Sequence, residues 1–171
     1  MNYINSKNNP NVKDLIKLRD DSKFRNDRSL FYIEGERLFK DSPINLVKKI
    51  FVLEERLEHY KELLLKFDDE LIYSVSSNVF QYIKSTVNSQ GIIAVLEYNL
   101  KESLEIKFCN KIRNCIILDS INDPGNLGTI IRLAEASNID LIILANNCCN
   151  LYNTKTIRAS MSSIFRTNIY F

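Results

Sequence analysis

Two short apolar segments constrain the fold more than any other feature of the sequence: "NCIILDS" at residues 114–120 and "DLIILA" at residues 140–145. Between them, residues 127–137 carry apolar side chains at every third or fourth position, which is typical of a helix packed on one face. A strand, a helix and a second strand in this order predict a right-handed crossover between parallel strands. Because both strands are apolar throughout, we expect a parallel sheet that is buried on both faces.

The first 98 residues also alternate between strand and helix patterns. Their apolar alternation predicts strands at residues 30–34, 48–54, 71–75 and 91–98, and their helical periodicity predicts helices at residues 10–20, 35–41, 55–67 and 77–85. Asn9 and Pro10 suit the start of the first helix. The sequence therefore predicts an α/β domain at 1–98, a linker at 99–113 and a second α/β domain at 114–171.

Composition excludes several classes of protein. No apolar run approaches the roughly 18 residues that span a membrane, and the N-terminus does not resemble a signal peptide. The cysteines Cys109, Cys115, Cys148 and Cys149 lack metal-ligand spacing, so we expect reduced thiols, no metal site and a cytoplasmic protein. The single histidine, His59, lies in an amphipathic helical pattern and is expected at the surface, so any chemistry must proceed without a histidine base.

Basic residues are concentrated near the N-terminus, although the net charge is only +2. The segment "KFRNDR" places Lys23, Arg25 and Arg28 around Phe24. Cations interleaved with an aromatic ring are typical of surfaces that bind single-stranded RNA, and a solvated helix and loop is the alternative. We predict that these four residues bind RNA from a loop.

The stretch "NDPGNLG" at residues 122–128 follows the first strand of the second domain, where open parallel sheets place ligand sites. It matches neither the dinucleotide fingerprint nor the phosphate loop. Arg132 lies outside the apolar stripe of the next helix, so it is expected to point out of the core at the mouth of a glycine loop. Its guanidinium suits a phosphate or carboxylate, and a salt bridge with Glu135 or Asp140 is the alternative.

Three blocks of sequence carry a resemblance to one family. "LDSINDPGNLGTIIRLAEAS" and "NTKTIRASMSSIFR" resemble the first and second motifs of the SpoU (TrmH-type) RNA ribose methyltransferases, which belong to the knotted SPOUT class. Residues 4–38 and 89–97 resemble that family's N-terminal substrate-binding domain. The resemblance implies a ribosomal-protein-like α/β RNA-binding domain, followed by a trefoil-knot SPOUT domain with a parallel sheet.

The activity implied by this resemblance is methyl transfer from S-adenosylmethionine to a ribose 2′-hydroxyl of structured RNA, either rRNA or tRNA. Asn126 and Arg132 match the catalytic polar residues of the first motif, and Arg158 and Ser160 of the second motif are expected to contact RNA. A guanidinium holds its proton in proteins, so we expect Arg132 to orient the hydroxyl by binding a phosphate, with base action a second role. The glycines of "NDPGNLG" are expected to bring bare backbone to the ribose and cofactor.

The sequence departs from the family pattern at two places. Ser162 stands where the second motif usually carries glycine, which predicts a strained or reshaped turn. The chain reaches Phe171 without a counterpart of the third motif, which forms the knot and most of the cofactor pocket.

The missing third motif sets further expectations. We expect an incomplete catalytic domain with no assigned cofactor residues and no cofactor binding by this chain. We also expect an apolar tail at residues 163–171 and stronger protection of the first domain. The family's homodimer is implied only for a full-length protein. A non-catalytic RNA-binding module and a nucleotide-binding regulatory domain are the alternative functions.

Overall fold

The computed structural model describes residues 1–98 and 112–170. The chain forms two compact units that divide after Tyr98, and each combines helices with a sheet. The predicted α/β class is therefore confirmed. Most of the linker predicted at 99–113, and Cys109 within it, lie outside the described residues.

The first unit is built on a five-stranded mixed sheet with the strand order β1-β4-β3-β5-β2. Its strands are β1 (Asn2–Ile4), β2 (Leu30–Glu34), β3 (Val47–Leu53), β4 (Ile72–Val75) and β5 (Ile92–Glu97). Strands β1, β4 and β3 are parallel, whereas β5 is antiparallel to both β3 and β2. Strand β1 was not predicted, because three residues are too few to show a periodicity.

The first unit contains the four predicted helices and one helix, at Ser22–Arg28, that was not predicted. They are α1 (Pro10–Asp20), α2 (Ser22–Arg28), α3 (Glu36–Asp41), α4 (Leu57–Leu64) and α5 (Ser77–Ile83), with 3₁₀ turns at Ile44–Leu46, Glu54–Arg56 and Asp69–Leu71. As predicted, α1 begins at Pro10, and the Asn9 side chain accepts a hydrogen bond from the Asn11 N–H. The apolar faces of α1 and α5 pack on the sheet to form the core.

A buried carboxylate, Glu34, ties the end of β2 to the loop after α5. It accepts hydrogen bonds from the Tyr32 hydroxyl (2.8 Å), from the N–H and hydroxyl of Ser85 (2.7 and 2.6 Å) and from the Thr86 hydroxyl (2.6 Å). Burial alone would raise the pKa of Glu34, but the hydrogen bonds from Ser85 and Thr86 outweigh it and hold the pKa below its ordinary value. The loop is therefore fixed by an ionised acid.

The second unit contains, within residues 112–170, a three-stranded parallel sheet ordered β6-β7-β8. Its elements are β6 (Cys115–Leu118), α6 (Pro124–Ala136), β7 (Leu141–Leu144), α7 (Thr154–Ala159), a 3₁₀ turn (Ser163–Phe165) and β8 (Ile169–Tyr170). Helix α6 connects two parallel strands, which confirms the predicted strand–helix–strand unit. The buried faces of α6 and the sheet form the core of this unit.

Two expectations for this unit are wrong. Leu118 packs in the core, but Cys115 and Ile117 alternate with it along β6 and are exposed, Ile117 by 68%. Among the described residues β6 is an edge strand, and the face that carries Cys115 and Ile117 is exposed. Within the expected apolar tail, Ile169 and Tyr170 instead form β8, in which Tyr170 is buried beside β7.

Candidate functional site

Helix α6 begins earlier than the sequence suggested. The Asp123 side chain caps it by accepting a hydrogen bond from the Asn126 N–H (2.8 Å), and Pro124 is its first residue. Gly125 and Gly128 therefore lie inside the helix, and neither has a positive φ. Most of the expected glycine loop, residues 124–128, is replaced by about one and a half turns of helix.

Gly128 permits a close approach between α6 and α7. A Cβ at this position would lie 2.4 Å from the Thr156 carbonyl oxygen, 2.6 Å from the Ala159 Cβ and 2.9 Å from the Ser160 nitrogen. These distances are too short for any side chain, so helix packing alone requires glycine here. The expectation that Gly128 clears space for ribose and cofactor is corrected accordingly.

An ion pair joins the starts of the same two helices. The Lys155 ammonium of α7 lies 2.9 Å from the Asp123 carboxylate, and this hydrogen bond, with that of the Asn126 N–H, holds the pKa of Asp123 below its ordinary value. Both side chains are about half exposed, so the pair contributes little stability but sets the position of α7 beside α6. Sequence reasoning missed Lys155 because 32 residues separate it from Asp123.

Arg132 is exposed on the flank of α6 rather than at a loop. It lies eight residues after Pro124, which places its Cα about 12 Å along the helix from its start. Cα–Cβ bonds tilt toward a helix's N-terminus, so the Arg132 Cα–Cβ bond is inclined toward the end of α6 that follows β6. Helical spacing puts Arg132 on the same flank as Gly128 and Glu135, which faces α7 and the 3₁₀ turn.

Glu135, three residues after Arg132, is bound by other groups. Its two carboxylate oxygens accept hydrogen bonds from the Arg166 guanidinium, one of them at 3.1 Å, and from the Ser163 hydroxyl at 2.5 Å. The Arg166 hydrogen bond is the main cause, and that of Ser163 the second, of a Glu135 pKa below its ordinary value. This carboxylate therefore holds the segment after α7 against the end of α6.

Asp140, the other acid considered for Arg132, is also engaged. It accepts hydrogen bonds from the backbone N–H groups of Arg113 (2.9 Å) and Asn114 (3.0 Å), which lower its pKa. The salt bridge suggested as an alternative role for Arg132 is thus not formed. Among the described residues Arg132 has no hydrogen-bond or ion-pair partner, so its guanidinium is available to an external anion.

The other predicted residues of the second unit have different environments. Asn126 is exposed on α6, but it lies about 120° around the helix from Arg132, and no hydrogen bond joins the two. Arg158 is exposed on α7. Ser160 is fully buried and donates its hydroxyl proton to the Ile157 carbonyl (2.7 Å), so the prediction that it contacts RNA is wrong.

Ser162 confirms the expectation of a strained turn. It has a φ of 73° and follows Met161, which also has a positive φ, 51°. Its side chain is fully buried, and its hydroxyl has no hydrogen-bond partner in the described part of the chain. Because this position has no glycine, a serine adopts the left-handed backbone conformation there, and its buried hydroxyl is left unpaired. Both features destabilise the turn.

The predicted RNA-binding residues of the first unit lie on helix α2, not in a loop. Arg25 is only 2% exposed, and its guanidinium donates hydrogen bonds to the carbonyls of Leu18 (2.9 Å) and Arg19 (3.2 Å) at the end of α1. It satisfies the last carbonyls of a helix. The prediction that Arg25 binds RNA is therefore wrong.

The remaining three residues are still accessible. Lys23 and Arg28 are exposed, and Phe24 is partly buried against the core of the first unit. The Arg28 guanidinium carbon and the Lys17 ammonium lie 5.4 and 5.2 Å from the centre of the Phe24 ring. The Phe24 ring thus makes cation–π contacts with Arg28 and Lys17, and less of the ring is open for stacking a base.

Other residues considered from the sequence lie outside these clusters. Cys115, Cys148 and Cys149 are free thiols. His59 is exposed on α4, with its ring 3.4 Å from the Glu36 carboxylate. None of the helices within residues 1–98 and 112–170 has the length and apolar character needed to cross a bilayer.

Two family models match the chain, one in each unit. The SpoU rRNA Methylase family matches residues 113–171, and the MRM3-like substrate binding domain matches residues 9–94. The second match alone covers half of the chain.

Relatives and solved structures agree with these matches. The chain is 34% identical over 169 residues to the 23S rRNA (guanosine(2553)-2'-O)-methyltransferase RlmP of Bacillus subtilis, covering 96% of this chain and 63% of the relative. It is 28% identical to human mitochondrial rRNA methyltransferase 3, covering 85% of this chain and 36% of the relative. The AdoMet-bound rRNA methyltransferase from Sinorhizobium meliloti superposes with a TM-score of 0.79 at 26% identity, covering 98% of this chain and 63% of that structure. The chain thus spans less than two thirds of each relative.

Proposed function

We propose, since the chain belongs to the SpoU rRNA methylase family, that it takes part in methyl transfer from S-adenosylmethionine to a ribose 2′-hydroxyl of ribosomal RNA. The observation that carries the proposal is the exposed guanidinium of Arg132 on α6, which has no partner within residues 1–98 and 112–170 and lies in the unit that matches the methylase model. An unpaired arginine at the surface recognises phosphate through two parallel hydrogen bonds.

In this proposal Arg132 positions the RNA. Its planar guanidinium binds a phosphate next to the target nucleotide, and this contact fixes the position of the ribose hydroxyl. A 2′-hydroxyl is a poor acid, and a guanidinium holds its proton, so orientation is the larger contribution expected from this side chain. Asn126 is exposed at the start of α6 and is a second polar group within the same helix. We assign it to contact with the RNA backbone.

S-Adenosylmethionine supplies a methyl group already activated on a sulfonium. The carboxyl edge of the β6–β7 sheet presents the exposed polar residues Asp119, Ser120 and Asn122. These do not form the enclosed, mainly apolar wall that an adenosine group needs. We therefore assign no described residue to the cofactor.

RNA contacts by the first unit are proposed at α1 and α2. Lys17, Lys23 and Arg28 are exposed cations on these helices, and two of them lie over the Phe24 ring. This unit matches the substrate binding domain model, which supports the assignment. Such cations fix the register of a protein on RNA without reading its sequence.

The direct test of the catalytic assignment is Arg132→Ala. In a full-length protein that carries the third motif, methyl transfer from labelled S-adenosylmethionine to a 23S rRNA transcript should fall by at least about a hundredfold. The affinity for S-adenosylmethionine, measured by calorimetry, should change less than twofold. Arg132→Lys should recover little activity, because an ammonium cannot reproduce the planar fork.

A matched control is Arg158→Ala, which removes a second exposed arginine from the same unit. It should reduce RNA affinity without the large loss of transfer. If Arg132→Ala lowered cofactor affinity as much as transfer, Arg132 would belong to the cofactor pocket instead. RNA binding with neither transfer nor cofactor binding in the parent protein would favour a non-catalytic RNA-binding module.

The RNA surface of the first unit has its own test. Lys23→Glu with Arg28→Glu should weaken binding of a 23S rRNA transcript and reduce the slope of log affinity against log salt by about two, one for each lost phosphate contact. Lys61→Glu with Lys66→Glu is the control, since it makes the same charge change at exposed positions in and after α4. An unchanged slope in the α2 variant excludes that helix from the RNA interface. Cytoplasmic localisation and homodimer formation remain predictions for the whole protein.

A further inference from the structure

We propose that Arg166 is a positioning residue: by holding the Glu135 carboxylate, it keeps Arg132 free to bind an RNA phosphate. The inference rests on the proposed function of Arg132 and adds a residue that controls its availability. The geometry that leads to it is a carboxylate three residues after Arg132 on the same helix, whose hydrogen bonds come from Arg166 and Ser163 and not from Arg132.

Arg132 and Glu135 are natural partners by sequence. Residues three apart on a helix are surface neighbours, with Cβ atoms about 5–6 Å apart. An arginine and a glutamate at this spacing would ordinarily form an ion pair, and an occupied Arg132 would offer less charge to RNA. In this protein the pair does not form, although both residues share the flank of α6 that faces α7.

The competition is decided by Arg166 and Ser163. Arg166 engages both oxygens of Glu135 through two nitrogen atoms of its guanidinium, and Ser163 donates a third hydrogen bond. A two-point arginine–carboxylate contact is stronger than a single one. The alternative pair is also weak, because a cation that precedes its acid along a helix is in the less favourable order. The Glu135 side chain is 30% exposed, so it is partly shielded from water in this arrangement.

Asp140 does not replace Glu135 as a partner. Its carboxylate is occupied by two backbone N–H groups that precede β6. Loss of Arg166 therefore leaves the Glu135 carboxylate without a cation, held by the Ser163 hydroxyl and close in sequence to Arg132. The expected consequence is capture of Arg132 by Glu135 and a loss of RNA affinity, although Arg132 itself is unchanged.

The test compares four variants by fluorescence anisotropy with a labelled 23S rRNA fragment. Arg166→Met keeps the apolar stem but leaves Glu135 without its arginine, and it should weaken binding about three- to fivefold, less than Arg132→Ala does, because an exposed ion pair within one helix is weak. Glu135→Gln breaks the same ion pair but leaves no carboxylate to capture Arg132, so its affinity should stay within twofold of the parent. The double variant Arg166→Met with Glu135→Gln should bind like the parent, and Arg166→Lys should retain most of the affinity.

Stability separates this role from a structural one. Arg166→Met and Glu135→Gln lose the same ion pair and should lower the melting temperature similarly, while their RNA affinities differ. Equal weakening of RNA binding by both variants would overturn the inference, and so would parent-like binding by Arg166→Met.

A double-mutant cycle gives a readout that is independent of RNA. In the Arg166→Met background, Arg132→Ala should lower the melting temperature more than it does in the parent, because only there does Arg132 pair with Glu135. Equal effects in both backgrounds refute the capture. If the cycle shows coupling but Arg132→Ala leaves RNA affinity unchanged in the parent, the proposed function of Arg132 fails while its control by Arg166 stands.

Discussion

Replacing Ser162 by glycine is expected to stabilise the second unit. The φ of 73° at Ser162 is a left-handed conformation that costs a residue with a Cβ about 1–2 kcal/mol relative to glycine. The fully buried hydroxyl has no partner among the described residues, and an unpaired buried hydroxyl costs about 1–2 kcal/mol. Glycine at this position removes both penalties.

Two effects oppose the gain. Glycine gives the unfolded chain more conformational freedom, which lowers stability by about 0.5–1 kcal/mol. Removal of two buried atoms leaves a small void that costs up to about 1 kcal/mol. At the middle of these ranges, the free energy of unfolding should rise by about 2 kcal/mol. In a unit of this size, each kcal/mol raises the melting temperature by about 4–8 °C.

Differential scanning calorimetry of the whole chain measures this shift, and two control variants separate its causes. Ser162→Ala removes the hydroxyl but keeps the Cβ, so it should recover only the part due to the unpaired group. Ser29→Gly acts at another left-handed serine, with a φ of 52°, in the first unit. It should leave the transition of the second unit unchanged.

Two results of this calorimetric comparison would refute the reasoning. A lower melting temperature for Ser162→Gly would show that the serine side chain contributes favourable packing that exceeds the cost of its conformation. Equal shifts for Ser162→Gly and Ser162→Ala would show that the backbone at this turn is not strained. Either result refutes the reasoning from the φ angle.

Two further predictions concern stability. Gly128→Ala should destabilise the second unit by about 3 kcal/mol in urea unfolding, because its Cβ meets backbone atoms of α7, whereas Gly125→Ala should cost about 1 kcal/mol, because its Cβ meets side-chain atoms and displaces the capping oxygen of Asp123. Equal costs for the two alanines would contradict the packing role of Gly128. Because the folded pKa of Glu34 lies below its ordinary value of about 4.3, its contribution to the first unit is present above that pH and lost as pH falls through the folded pKa. Glu34→Gln should cost about 2 kcal/mol at pH 7 and flatten the loss of stability toward pH 3, measured by circular dichroism, and an unchanged acid slope would exclude Glu34 as its source.

Most of the fold could be predicted because its signals are local. The helix start at Asn9 and Pro10 and the strand–helix–strand order around α6 are visible in consecutive residues, and the structure confirms both. Strand β1 escaped prediction because it is three residues long, and the exposure of β6 depends on which strands lie beside it. The hydrophobic periodicity of consecutive residues does not show which distant segments pair with each other.

The candidate site was harder to predict for a related reason. The exposure of Arg132 followed from its helical position, but its freedom depended on whether another cation engaged Glu135. The burial of Arg25 depended on the carbonyls of α1, and that of Ser160 on the contact between α6 and α7. Residue type and spacing identify a candidate, and partners from distant segments decide whether it is available.

The two motif segments act as one structural unit, which bears on how their residues should be interpreted. At the start of α6, Asp123 binds Lys155; in the middle, Gly128 lets α7 approach; at the end, Glu135 binds Arg166. These three ties lie 32, about 30 and 31 residues apart in sequence and run in the same order along both segments. The second segment therefore lies alongside the first over the length of the helix.

This arrangement explains the turn at Ser162. The segment must change from α7 to the 3₁₀ turn while remaining against α6, and the two positive φ angles at Met161 and Ser162 make that change within two residues. Most of the polar and small residues of the two motifs take part in these contacts between the two segments. Of the residues assigned to chemistry, Asn126, Arg132 and Arg158 remain exposed, so they are the ones on which functional variants of this unit are informative.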